Sequence, residues 1–264
     1  MSEETALEAA LRRDRLIVVA SLAGVAALAW VYLVVLAEAM AAMAGPGGWT
    51  AFMGLMPMGR WGPWEYGLGF VMWTLMMIGM MVPSAAPMIV IHARVARRAE
   101  QGGERIGSTG AFAAGYLLVW ALFSALAAAL QGALVTLSLM TDAMTSASLV
   151  FAGAVLIGAG LYQWTPLKRA CLDNCRSPMT FLARHWRSGL GGSLRMGLHH
   201  GAYCLGCCWG LMAVLFAVGV MNLAWIAAIA VIVLIEKMTP VGAPAGRFVG
   251  VALIGLGLAT LIEA

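Results

Sequence analysis

"GLGFVMWTLMMIGMMVPSAAPMIVI", residues 67–91, runs for twenty-five residues without a charged side chain. A helix rises about 1.5 Å per residue, so about 20 apolar residues cross the roughly 30 Å hydrocarbon layer of a bilayer. The stretch does not alternate apolar and polar residues, so it reads as a spanning helix and not as a barrel strand. Six further runs have the same character, at 16–37, 111–137, 147–164, 198–220, 223–235 and 246–262. The expected fold is therefore all-α: a polytopic transmembrane helix bundle of about seven spans, forming a single integral membrane domain over residues 1–264.

Composition agrees. Of 264 residues, 62% are hydrophobic and 11% charged, against about 25% charged in a soluble domain. The net charge of +4 does not point to nucleic acid, because the basic residues form no stripe or tail that could follow phosphates. No Gly-rich loop ending in Lys-Ser or Lys-Thr is present, which argues against a single-chain ATP-driven pump.

The basic residues instead report sidedness. Arg12, Arg13 and Arg15 precede the first run, which lacks a small-residue cleavage site and so reads as an anchor. With the N-terminus in the cytoplasm and seven spans, fifteen of the sixteen Lys and Arg residues fall on the cytoplasmic side, all but Arg60. The cytoplasmic loops are then 92–110, 165–197 and 236–245, in a multi-pass protein of the cell inner (plasma) membrane.

All five cysteines lie between Cys171 and Cys208. Cys171 and Cys175, in "CLDNC", stand one helical turn apart in the cytoplasmic loop, where thiols stay reduced and a metal site is a better reading than a disulfide. In "GLHHGAYCLGCCWGLM", residues 197–212, His200, Cys204 and Cys208 are spaced i, i+4, i+8, with Cys207 beside them. On a helix they form one stripe about 12 Å long, and His199 starts a parallel one through Tyr203 to Cys207. Imidazole, thiolate and thioether together favour Cu(I), with Zn(II) as the alternative, over hard ions. A buried cysteine also serves as a small hydrophobe, so packing alone competes with this reading.

The run at 67–91 adds a methionine stripe. Met76 and Met80 share one face, Met77 and Met81 the adjoining one; thioethers are soft ligands but also fill irregular cores. Met40, Met43, Met53, Met56 and Met58 add MxxM and MxM spacings outside. Pro83 and Pro87 remove ladder hydrogen bonds at the carbonyls of Gly79 and Pro83, which predicts a broken helix of the kind that lines transport pathways. Glu236, beside Lys237, reads as half of an interfacial ion pair or as a ligand near the thiols.

The pieces "WTLMMIGMMVPSAAPMI", "CLDNCRSP" and "GAYCLGCCWGLM" with "VGVMNLAWIAAIAVIVLIEK" resemble a bacterial family of predicted metal-binding integral membrane proteins, a domain of unassigned function. The resemblance covers most of the chain from Met72 to Lys237 and implies copper handling. It carries over to Met76, Met77, Met80, Met81, Pro83, Pro87, Cys171, Cys175, Cys204, Cys207, Cys208 and Glu236. The leading functional expectation is a metal-binding membrane protein, not an enzyme, that takes up, transports or delivers a soft metal ion. Its partners would be the lipid bilayer and a metallochaperone or metalloenzyme subunit. Two other classes stay open: a membrane thiol oxidoreductase using the Cys207–Cys208 and Cys171–Cys175 pairs, disfavoured by the strain of a disulfide between adjacent cysteines, and a structural subunit of a membrane complex.

Overall fold

The computed structural model describes residues 3–43, 61–103, 108–141 and 144–264. Met53, Met56, Met58 and Arg60 lie outside the described residues, and the side chains of Arg12, Arg13, Arg15, Met40 and Met43 are likewise not described. Helix accounts for 86% of the structure; among the described residues there is no strand, only one isolated bridge between Met140 and Ser146. In chain order the helices are α1 (Glu3–Met43), α2 (Pro63–Gln101), α3 (Thr109–Thr136), α4 (Leu149–Tyr162), α5 (Pro166–Arg176), α6 (Pro178–His185), α7 (Gly189–Val218), α8 (Leu223–Met238) and α9 (Gly242–Ile262).

Their starts are written locally. Ser108, Ser148, Thr165 and Asn222 each accept a hydrogen bond from a backbone N–H in the first turn of α3, α4, α5 and α8. Proline, whose missing N–H costs nothing there, opens α2, α5 and α6. Among the described residues, five helices are long and apolar enough to cross a membrane: Leu16–Ala39, Pro63–Gln101, Thr109–Thr136, Gly189–Val218 and Gly242–Ile262. The bent pair α4–α5, with 62° between its legs, makes a sixth candidate. The remaining apolar run forms α8, whose 16 residues span roughly 24 Å at about 1.5 Å per residue.

The segment 165–197, expected between spans, is itself helical: α5, α6 and the first turns of α7. One expectation needs correction: α2 does not break at its prolines, since one helix runs through Pro83 and Pro87. The carbonyl of Gly79, freed by Pro83, accepts from the Trp30 indole of α1 at 3.2 Å, so a neighbouring helix satisfies it without a wet cavity.

Close backbone approach sets the packing. A Cβ on Gly197 of α7 would run into the Phe112 carbonyl of α3, and one on Gly115 of α3 into the Leu194 carbonyl of α7. One turn on, a Cβ on Gly201 would stand 2.9 Å from Val119 Cγ2. The α4–α9 pair repeats the device reciprocally. A Cβ on Gly160 would be 2.7 Å from the Gly250 carbonyl, and one on Gly257 would be 2.8 Å from that of Gly153. For helices of this length and apolarity, placed in lipid, apolar burial would give little drive to associate, and small residues let dispersion and close contact supply it. The core lies where α2, α3, α7 and α8 meet, with Trp73 of α2 stacked on Phe216 of α7 at 5.1 Å.

Gly197→Ala and Gly115→Ala should each lower stability by about 1–3 kcal/mol, because the added methyl meets backbone that cannot swing away. Gly158→Ala, with open space at its Cβ, should be neutral or slightly stabilising. Thermal unfolding in detergent, followed by helix circular dichroism, checks the contrast.

Candidate metal centre

The column of polar groups on α7 is buried along its length: His200 is 3% exposed, and Cys204, Cys207 and Cys208 no more than 1%. Each thiol has a defined neighbour. Cys207 Sγ and Cys208 Sγ donate to the Cys204 carbonyl at 3.1 and 2.9 Å. Cys208 Sγ also lies 3.9 Å from Met81 Sδ of α2. Cys204 Sγ receives the Lys237 ammonium at 2.9 Å and contacts the Tyr116 hydroxyl at 3.2 Å. That hydroxyl is also 3.2 Å from the Met81 carbonyl, and Lys237 donates further to Ser84 Oγ at 3.1 Å. One polar knot thus joins α2, α3, α7 and α8.

The second cysteine pair reaches the same helix. α5 lies against α7, and Cys171 and Cys175, both partly buried, pack against the core that holds Cys204, Cys207 and Cys208. Cys171 faces Gly206, where a Cβ would come 2.6 Å from its sulfur, so only glycine admits that thiol. The Tyr162 hydroxyl donates to the Gly206 carbonyl beside it. α5 is fastened at both ends: Lys168 Nζ reaches both Glu236 carboxylate oxygens at 2.8 Å and the Gln163 side-chain Oε1, while Arg176 donates to the Thr239 backbone carbonyl at 2.7 Å.

The candidate residues therefore divide. Cys204, Cys207, Cys208 and Met81 come together, with Cys171 and Cys175 packed against the same core. Glu236 does not pair with its neighbour Lys237; its carboxylate is taken by Lys168. His200 is enclosed by the rings of Phe112, Tyr116 and Phe181, with no partner for Nδ1 among the described residues. His199, half-buried, faces His185 at a ring-centroid distance of 5.6 Å. Met76, Met77 and Met80 are wholly inside the core.

Among the described residues, no group of three or more His, Cys, Asp or Glu side chains is arranged to hold a metal ion. Two of the thiols are turned onto a helix carbonyl and the third onto an ammonium. The donor set is soft, and an ion would be gripped only after side chains rotate toward a common point.

Sequence reasoning missed Lys168, Tyr116 and Ser84, and set Lys237 beside Glu236 where the structure gives it Cys204. A hydroxyl in an otherwise apolar run was the available signal for Tyr116 and Ser84, but which group it would meet depends on tertiary packing. It also passed over Cys204-Leu205-Gly206-Cys207 as a CxxC spacing, and over His92. That ring is fully buried on Phe112 at 4.5 Å, with both nitrogens unpartnered among the described residues.

One family profile, PpoB2, described as a copper chaperone, matches residues 70–260, well over half of the chain. No curated protein and no solved structure matches.

Glu236→Gln should destabilise the protein by about 3–5 kcal/mol, because it leaves the Lys168 ammonium buried without its counter-charge. Replacing both, as Lys168→Met with Glu236→Leu, should cost markedly less. Unfolding curves of the single and double variants decide this.

Proposed function

The chain belongs to the PpoB2 copper chaperone family, and on that premise we propose that it carries Cu(I) within a membrane-embedded helix bundle and hands it to a partner protein. The supporting observation is the meeting of Met81 sulfur of α2 with the Cys204, Cys207 and Cys208 column of α7, with Cys171 of α5 against Gly206 of the same helix. Thiolate with thioether is a donor set for Cu(I), which accepts two or three soft ligands; Zn(II) favours four ligands from Cys, His and carboxylate.

Copper is the cargo, and the protein's own groups do the rest. Cys207 and Cys208 leave the Cys204 carbonyl by rotation about χ1 and turn toward the ion. A thiol hydrogen bond to a carbonyl is worth only about 1 kcal/mol, so the exchange is cheap in either direction. Met81 supplies the thioether from the facing helix. Cys171 and Cys175, on a short helix clasped by Lys168–Glu236, stand where cargo would pass between the bundle and the basic face. That face is assigned to the cytoplasm of the inner membrane, and the recipient to a metallochaperone or metalloenzyme subunit docking there.

The test is Cu(I) competition between the purified, reduced protein and a chromophoric Cu(I) chelator. Wild type should bind. Cys204→Ser and Cys208→Ser should each lose most of the copper, whereas Cys171→Ser should speed its release more than it blocks loading. Met81→Leu, which conserves volume and costs less than about 1.5 kcal/mol of stability, should weaken binding while the fold persists. A reduced wild type that takes up no Cu(I) overturns the reading.

A further inference from the structure

Both lysines of the chain, Lys168 and Lys237, are buried, and they are compensated differently. Lys168 has the carboxylate of Glu236. Lys237 is 8% exposed, and among the described residues it has no carboxylate: its ammonium donates to Ser84 Oγ at 3.1 Å and Cys204 Sγ at 2.9 Å. Glu236, its chain neighbour, is committed to Lys168 through both oxygens. A positive charge thus stands against the sulfur at the centre of the thiol group.

We propose that Lys237 is the charge filter of this site: it admits a soft monovalent ion and rejects soft divalent ions. The inference rests on the copper reading above. A metal bonded to Cys204 would sit about 2.3 Å from the sulfur and about 4 Å from the ammonium, with little water between them to screen the repulsion. With two thiolates and the Met81 thioether as the ligand set, the thiolates, one Cu(I) and one ammonium sum to zero. Two thiolates, one Zn(II) or Cd(II) and the same ammonium leave a net positive charge buried among Met81, Tyr116 and the core of α7, which is costly. Size and softness do not separate Cd(II) from Cu(I) at a sulfur site, whereas a fixed positive charge does. Ser84 helps to hold the ammonium in place, so the discrimination is built into three helices.

The experiment measures Cu(I), Ag(I), Zn(II) and Cd(II) affinities by competition for the full-length protein and for Lys237→Met, Lys237→Gln and Lys237→Arg. Wild type should bind Cu(I) and Ag(I) and reject both divalent ions. The neutral variants should narrow the Cu(I)-to-Cd(II) preference by at least about tenfold, chiefly through tighter Cd(II), since the repulsion scales with the charge of the ion. Lys237→Arg should keep the preference. If both neutral variants fail to fold, the wild-type comparison decides: Cd(II) bound as tightly as Ag(I) overturns the filter. Cu(I) bound with an unchanged preference in a folded neutral variant also overturns the filter and leaves the copper reading standing. A wild type that binds no Cu(I) or Ag(I) overturns both.

Discussion

Two ammonium groups sit inside a bundle made mostly of Leu, Ala, Val, Met and Gly, and the arrangement of its inner helices is bound up with their compensation. Moving such a charge out of water costs several kcal/mol even after relaxation, and only close, well-oriented partners recover it. Lys168 on α5 finds Glu236 on α8; Lys237 on α8 finds Cys204 on α7 and Ser84 on α2. The last turn of α8 is therefore held from both sides, through adjacent residues that point away from each other. A shift of α8 along its axis by one residue would separate both contacts together, so the register of α8 is set by charge and not by its uniformly apolar flank.

The glycines make that geometry reachable. α3 and α7 approach until Gly115 and Gly197 leave no room for a methyl, and this brings Tyr116 alongside Cys204. On the other side, Gly206 admits Cys171, while Gly242 and Gly246 lie against Glu236, where a Cβ would collide with it. Small residues and buried polar groups thus act jointly. Where backbones come close, a short side chain such as cysteine or serine can bridge to the next helix, and where they do not, a lysine of four methylenes spans the gap.

The all-helical fold was legible because a run such as residues 67–91 has few physical alternatives once charge is absent. The Cys column on α7 was legible too, since i, i+4, i+8 spacing fixes a face. What failed involved partners distant in sequence. Pro83 does remove a ladder bond, but the group that replaces it is Trp30, forty-nine positions before the freed Gly79 carbonyl. Glu236 and Lys237 look like a pair when read along the chain, yet consecutive helical side chains diverge by about 100°, and the acid's partner lies sixty-eight positions back. Residues 165–197 read as a loop because they are charged, although Thr165-Pro166 and Ser177-Pro178 are helix-start signatures that could have been recognised.

The state of the thiols bears on which kind of soft-ligand site this arrangement supports. A structural metal site keeps its ligands converged, closed to exchange and fixed by neighbours that bond the ligands' other atoms. Here Cys207 and Cys208 rest on a carbonyl of their own helix and Cys204 rests on an ammonium, all of them partners that can be given up singly and regained. Met81 is tied to the same knot twice, by its sulfur near Cys208 and by its carbonyl near Tyr116, so an ion drawn toward the thioether would be felt at the hydroxyl that touches Cys204. If these thiols take copper as proposed, replaceable partners, a cation already present to balance their charge and a glycine-packed frame around them would make retention modest and exchange easy. That combination would suit a carrier of copper better than a permanent holder of it.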